Sequence, residues 1–105
     1  MNMSLAELPI SIDYERIASF CRERGIKRLS LFGSVLRDDF DPARSDIDVL
    51  VEFVPGAIDG LGFRYFGYED QLSKIFGQKV DLCSHLNKYI ARAVEREAVP
   101  IYEQT

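Results

Sequence analysis

The sequence predicts a single α/β (α+β) domain over residues 1–105, with a small mixed β-sheet and helices packed on at least one face of it. Two observations predict this. Helical periodicity and two-residue alternation take turns along the chain, in the order helix, strand, short helix, strand, helix, strand, helix. The 105 residues also suffice for one modest core and not for two.

Tyr14, Ile17, Ala18 and Cys21 fall at i, i+3, i+4 and i+7, which predicts an amphipathic first helix with Ser11 or Asp13 as its N-cap. Gly25 is its expected stop. From Lys27 to Phe32, Leu29 and Leu31 alternate with Arg28 and Ser30 as in a strand that runs directly into Gly33-Ser34. Val35 to Asp39 has room for one or two helical turns, and Asp41-Pro42 marks a loop. Asp46 to Phe53 alternates strictly: Ile47, Val49, Val51 and Phe53 take one face, and Asp46, Asp48, Leu50 and Glu52 the other.

Pro55-Gly56 and Gly60 punctuate the next loop. Tyr65, Tyr68, Leu72, Ile75 and Phe76 then keep helical spacing up to Gly77, although Gly62 and Gly67 weaken the first half. Lys79 to Cys83 reads as a third strand that opposes Val80 and Leu82 to Asp81 and Cys83. Leu86, Ile90, Ala93, Val94 and Glu97 trace a last helix, Pro100 ends it, and Ile101-Tyr102 is placed as a short edge strand.

Composition narrows the function classes. Hydrophobic residues make up 47% and charged residues 29% of the chain, which is ordinary globular usage. A net charge of −4 argues against a broad nucleic-acid footprint, which depends on clustered Lys and Arg, but leaves room for a nucleotide held through metal ions. Two cysteines, Cys21 and Cys83, make neither a disulfide scaffold nor a zinc site. No apolar run approaches the roughly 20 residues that span a bilayer, and Met1 to Pro9 does not read as a signal peptide. A cytoplasmic location with no membrane partner is the expectation.

The chemistry concentrates in three segments. Phe32-Gly33-Ser34 joins a strand to a short helix, where glycine admits a phosphate close to the backbone and the Ser34 hydroxyl joins unpaired N–H groups as an anion site. Alone, a Gly-Ser pair reads first as a plain turn. Asp46 and Asp48 share one face of a strand, about 7 Å apart along it, and like charges so close favour a cation between them. Alone, they read first as the solvated side of an edge strand. Asp81 joins the same acidic face if the second and third strands are neighbours. Three carboxylates from two strands, beside a phosphate-binding turn, make a site for phosphoryl or nucleotidyl transfer with two metal ions about 3.5–4 Å apart.

At these residues the sequence resembles the DNA polymerase beta-like nucleotidyltransferase superfamily and, within it, the minimal nucleotidyltransferase (MNT) family, the antitoxins of HEPN/MNT toxin–antitoxin pairs. The resemblance runs through Leu31 to Arg37, Ser45 to Val51, Lys79 to Leu82 and Arg96 to Tyr102, and covers nearly the whole chain. The stretch between Ser34 and Asp46 is one residue longer than the commonest spacing, an addition that falls in the Asp41 to Arg44 loop. The resemblance implies that Asp46 and Asp48 hold two Mg²⁺ ions, that Asp81 completes the ion nearer the acceptor, and that Gly33 and Ser34 grip the triphosphate of ATP. Arg37 either reaches a phosphate as a bidentate donor or pairs with Asp38, Asp39 or Asp41. His85, the only histidine, is placed at a helix start or on the surface. Tyr65 and Tyr68 are expected to pack, and Glu95 and Glu97 to face solvent.

The activity this resemblance implies is transfer of AMP from ATP to a tyrosine of a cognate HEPN toxin, an RNase, with which the chain would assemble. Two alternatives stand beside it. One is transfer to a small molecule such as an aminoglycoside, for which relatives carry an additional domain. The other is an antitoxin that acts by occlusion alone, to which three mutually repelling acids would be a needless cost.

Overall fold

The computed structural model of the protein describes residues 8–37, 40–57, 64–84, 92, 94 and 96–104. Helix α1 (Tyr14–Arg24) begins where Asp13 Oδ1 accepts the backbone N–H of Arg16 at 3.2 Å, a cap worth about 1 kcal/mol. It ends at Gly25, whose φ of 68° lets its N–H close onto the Cys21 carbonyl. Strand β1 (Ile26–Phe32) leads into a single turn of 3-10 helix (Gly33–Leu36). Strand β2 (Ile47–Phe53), helix α2 (Arg64–Phe76), strand β3 (Val80–Cys83) and strand β4 (Val99–Glu103) complete the order.

The four strands form one mixed sheet in the order β3-β2-β1-β4, with β1 antiparallel to β2 and β4, and β2 parallel to β3. Both helices pack on one face. Ile17, Phe20 and Cys21 of α1 and Tyr68, Leu72 and Phe76 of α2 bury against Leu29, Leu31, Ile47, Val49, Val51 and Val80. Each such side chain contributes about 1.5–3 kcal/mol on leaving water. Arg24 ties the two helices together: its guanidinium lies 4.0 Å over the Phe20 ring and donates to Gln71 Oε1 at 2.8 Å.

The expected architecture and element order are what the structure contains, with local differences. Tyr14 belongs to the helical stripe yet is 43% exposed. The short helix starts at Gly33 rather than Val35 and is 3-10 in character. Gly67 sits inside α2, and Pro100 lies within β4 rather than ending the helix before it. Of the last helix, Arg92, Val94, Arg96 and Glu97 are helical, and Glu97 is exposed as expected. Leu86, Ile90, Ala93 and Glu95 lie outside the described residues, as do His85, Asp38, Asp39, Gly60 and Gly62. Tyr68 is buried edge-on to Phe20, and Tyr65 packs on Phe53 and Tyr68. No helix among the described residues is long and apolar enough to cross a membrane.

Candidate active site

The face of the sheet opposite α1 and α2 carries the acids. Two-residue alternation sends Asp48, Leu50 and Glu52 of β2 to that face, and the register sets Phe32, Ser30 and Arg28 of β1 beside them. Arg28 bridges Glu52 at 3.4 Å and Glu103 at 3.2 Å, so this face is ion-paired at one end. Ser30 and Leu50 are buried in the middle, and Leu50 lies outside the main core cluster. The face is therefore not the open, solvated side of an edge strand.

At the other end β3 runs parallel to β2 with Asp48 and Asp81 as direct partners across the pair. Side chains of such partners share a face and lie about 5 Å apart at their β-carbons. Asp46 stands one residue before β2, with Ile47 N–H donating to the Lys79 carbonyl at 2.9 Å. Asp48 is half-buried and Asp81 exposed.

The Asp48 carboxyl is held above the usual Asp range, first by burial and then by the charge of Asp81, with Asp46 adding to the effect. The Ser34 backbone N–H and the Arg37 guanidinium pull it back down. The Gly33-Ser34 turn thus lies against Asp48. Gly33 has a φ of 75°, and a β-carbon added there would fall onto Asp48 Oδ2. Glycine is thus required twice, by backbone conformation and by the carboxylate against it.

Gly33, Ser34, Asp46, Asp48 and Asp81 are therefore brought to one end of the sheet. The turn differs in detail from the expected anion site, because one turn of 3-10 helix replaces a longer helix start. Arg37 is exposed and close enough to act on Asp48, while Asp41 pairs with Arg44 at 3.8 Å and organises its loop by accepting the Ala43 N–H.

Three further side chains stand beside these acids. Lys79 Nζ lies 3.7 Å from Asp46 Oδ2 as a partial counter-ion. Cys83 shares the acidic face of β3, and its thiol is pushed up by burial and then by Asp81, Asp48 and Glu69. Glu69 reaches β3 from α2 and accepts the Leu82 N–H at 2.9 Å. Lys79 was legible only as the expected first residue of the third strand, which begins instead at Val80; nothing in the sequence points from Glu69 to Leu82.

Among the described residues no group of three or more His, Cys, Asp or Glu side chains forms a metal cluster by itself. Mg²⁺ does not ask for one: it takes one or two carboxylates and fills its octahedron with water and substrate phosphates. Hard oxygen donors on Asp46, Asp48 and Asp81, with Asp48 and Asp81 directly opposed across β2 and β3, fit such an ion.

Residues 14–101 match the nucleotidyltransferase domain family. The chain belongs to that family. It is 38% identical over 77 residues to a Methanocaldococcus jannaschii protein named "Putative protein adenylyltransferase MJ0128", covering 70% of this chain and 74% of that one. A solved structure described as "putative minimal nucleotidyltransferase" is 32% identical, with a TM-score of 0.67 over 83% of this chain and 87% of its own. A solved toxin–antitoxin structure with AMP-PNP superimposes at a TM-score of 0.66 and 17% identity, over 90% of this chain and 76% of the other, a likeness of fold. The nucleotidyltransferase sheet and its flanking helices are thus the frame on which the acids stand.

Proposed function

We propose that this nucleotidyltransferase moves AMP from ATP, with Mg²⁺, onto a tyrosine hydroxyl of a HEPN-family toxin, and so acts as its antitoxin. One observation carries the reading: Asp48 stands between the Gly33-Ser34 turn on one side and Asp81 on the other, so that a phosphate site and an acceptor site would meet at one carboxylate.

Asp46 and Asp48 would hold both ions, and Asp81 the one nearer the acceptor. When bound, the ions polarise the α-phosphate and acidify the acceptor hydroxyl. Gly33 and Ser34 would seat the triphosphate, and Arg37 would donate to its phosphates. The acceptor oxygen bonds to the α-phosphorus, the bond from that phosphorus to the bridging oxygen breaks, and pyrophosphate leaves. The phenolic proton passes to Asp81, the exposed acid. Positioning and electrostatics supply most of the catalysis in such transfers.

The toxin partner and the ATP substrate draw on the toxin–antitoxin structure with AMP-PNP and on the adenylyltransferase name of the archaeal relative. Intact-mass spectrometry of the chain co-expressed with the protein encoded beside it tests the reading. AMP-sized additions on the partner support it. Neutralisation of the partner without added mass, by native chain and Asp81→Asn alike, would point to occlusion.

A further inference from the structure

Among the described residues Asp81 has support from β2 on one side only, because β3 stands at the edge of the sheet. The outward N–H groups of an edge strand ordinarily face water or a foreign strand. Here the two that flank Asp81 are both taken by side chains of α2. Val80 N–H donates to Ser73 Oγ at 2.9 Å, and Leu82 N–H donates to Glu69 Oε2 at 2.9 Å. Glu69 and Ser73 stand one helical turn apart on the same side of α2. Ser73 Oγ in turn donates to the Glu69 carbonyl at 2.8 Å, which fixes its hydroxyl proton and leaves a lone pair for Val80.

We propose that Glu69 and Ser73 are positioning residues for Asp81: by gripping the amides before and after it, they set its carboxylate opposite Asp48 and so set the affinity of the acidic pair for a divalent cation. This rests on the function proposed above for the same site. Protection of the edge would require only that the two donors be satisfied. The paired grip does more, because it fixes the backbone of the one site acid that lies on an exposed strand with a neighbour on a single side. Glu69 is close enough for its charge to act on Cys83, on the acidic face of the same strand. Its role at Leu82 is that of an acceptor, which a neutral amide oxygen can fill.

The test compares Glu69→Ala, Glu69→Gln and Ser73→Ala with the native chain in three readouts. These are hydrogen exchange at the Val80 and Leu82 amides, direct binding of Mn²⁺ as a Mg²⁺ probe, and steady-state nucleotidyl transfer. Glu69→Ala should speed exchange at Leu82 and weaken Mn²⁺ about ten- to a hundredfold, as loss of support behind metal ligands does elsewhere. It should lower kcat by a similar factor with KM for ATP within about twofold, since the triphosphate is held by another segment. Glu69→Gln should restore all three readouts, and Ser73→Ala should act through Val80 in the same direction. A folded Glu69→Ala or Ser73→Ala that binds Mn²⁺ like the native chain would overturn the inference and leave edge protection alone. So would a Glu69→Gln variant as defective as Glu69→Ala, which would make charge rather than position the cause. If the native chain transfers no nucleotide, the proposed function fails, and the Mn²⁺ comparison still decides the role of Glu69 and Ser73.

Discussion

Asp48 occupies the space that a β-carbon on Gly33 would need. Gly33→Ala therefore meets two penalties, a left-handed backbone at φ 75° and a collision with a site carboxylate. Gly77 separates them, since it has a φ of 71° with nothing within 4 Å of an added β-carbon. Thermal unfolding should show Gly77→Ala costing about 1–2 kcal/mol for the backbone alone. Gly33→Ala should cost more and should also weaken Mn²⁺ binding. Equal losses for the two variants would mean that Asp48 yields freely.

The crowding of Asp48 predicts a pH dependence. Its carboxyl in the folded protein lies above the ordinary 3.8, through burial and then Asp81. The folded state thus holds that proton more tightly than the unfolded state does. Its contribution to stability is fully present below the ordinary value and is lost as pH rises through the raised one. Asp48→Asn, nearly the same shape without the charge, should be more stable than the native chain at neutral pH without metal. The difference should vanish in acid. Melting curves in chelator from about pH 3.5 to 7 check this across the carboxylate range, and an Asn variant less stable at neutral pH would contradict it.

The two cysteines should differ in reactivity. Burial pushes the Cys21 thiol up to about 12, against which Arg24 and Arg22 act only weakly. Since the thiolate is the nucleophile, Cys21 should resist iodoacetamide at pH 8 until the protein unfolds. Cys83 is half-buried and is raised by burial and by Asp81, Asp48 and Glu69, so it should react slowly in the native chain and faster in Asp81→Asn. Mass spectrometry of the alkylated peptides distinguishes the sites. Equal native reactivity of Cys21 and Cys83 would contradict the burial.

Local signals made much of this fold legible in the sequence. Helix α1 is bounded by a cap and a stop that act within a few residues, Asp13 and Gly25, and Asp46 to Phe53 announces its two faces by strict alternation. Long-range pairing was not legible. Period two puts Asp81 on one face of its strand, but only the parallel pairing of β2 and β3 places it opposite Asp48. The burial of Ser30 and Leu50 on the acidic face depends on tertiary packing, against the alternation that assigned them beside charged residues. Lys79 meets Asp46 because neighbouring strand starts come together, and Glu69 reaches Leu82 only once α2 has folded back along the sheet edge.

Nucleotidyl transfer leaves the α-phosphate of ATP on the acceptor, whereas phosphoryl transfer leaves the γ-phosphate. ATP labelled at one or the other, incubated with Mg²⁺, this chain and the protein encoded beside it, measures the chemistry of the Asp46, Asp48 and Asp81 site directly. The expected result is α-label on a tyrosine of the partner, no γ-label, and a loss of about a hundredfold or more in Asp48→Asn, the scale on which removing a group that stabilises transition-state charge is felt. Label from the γ-phosphate, or α-label delivered at the native rate by Asp48→Asn, would contradict it.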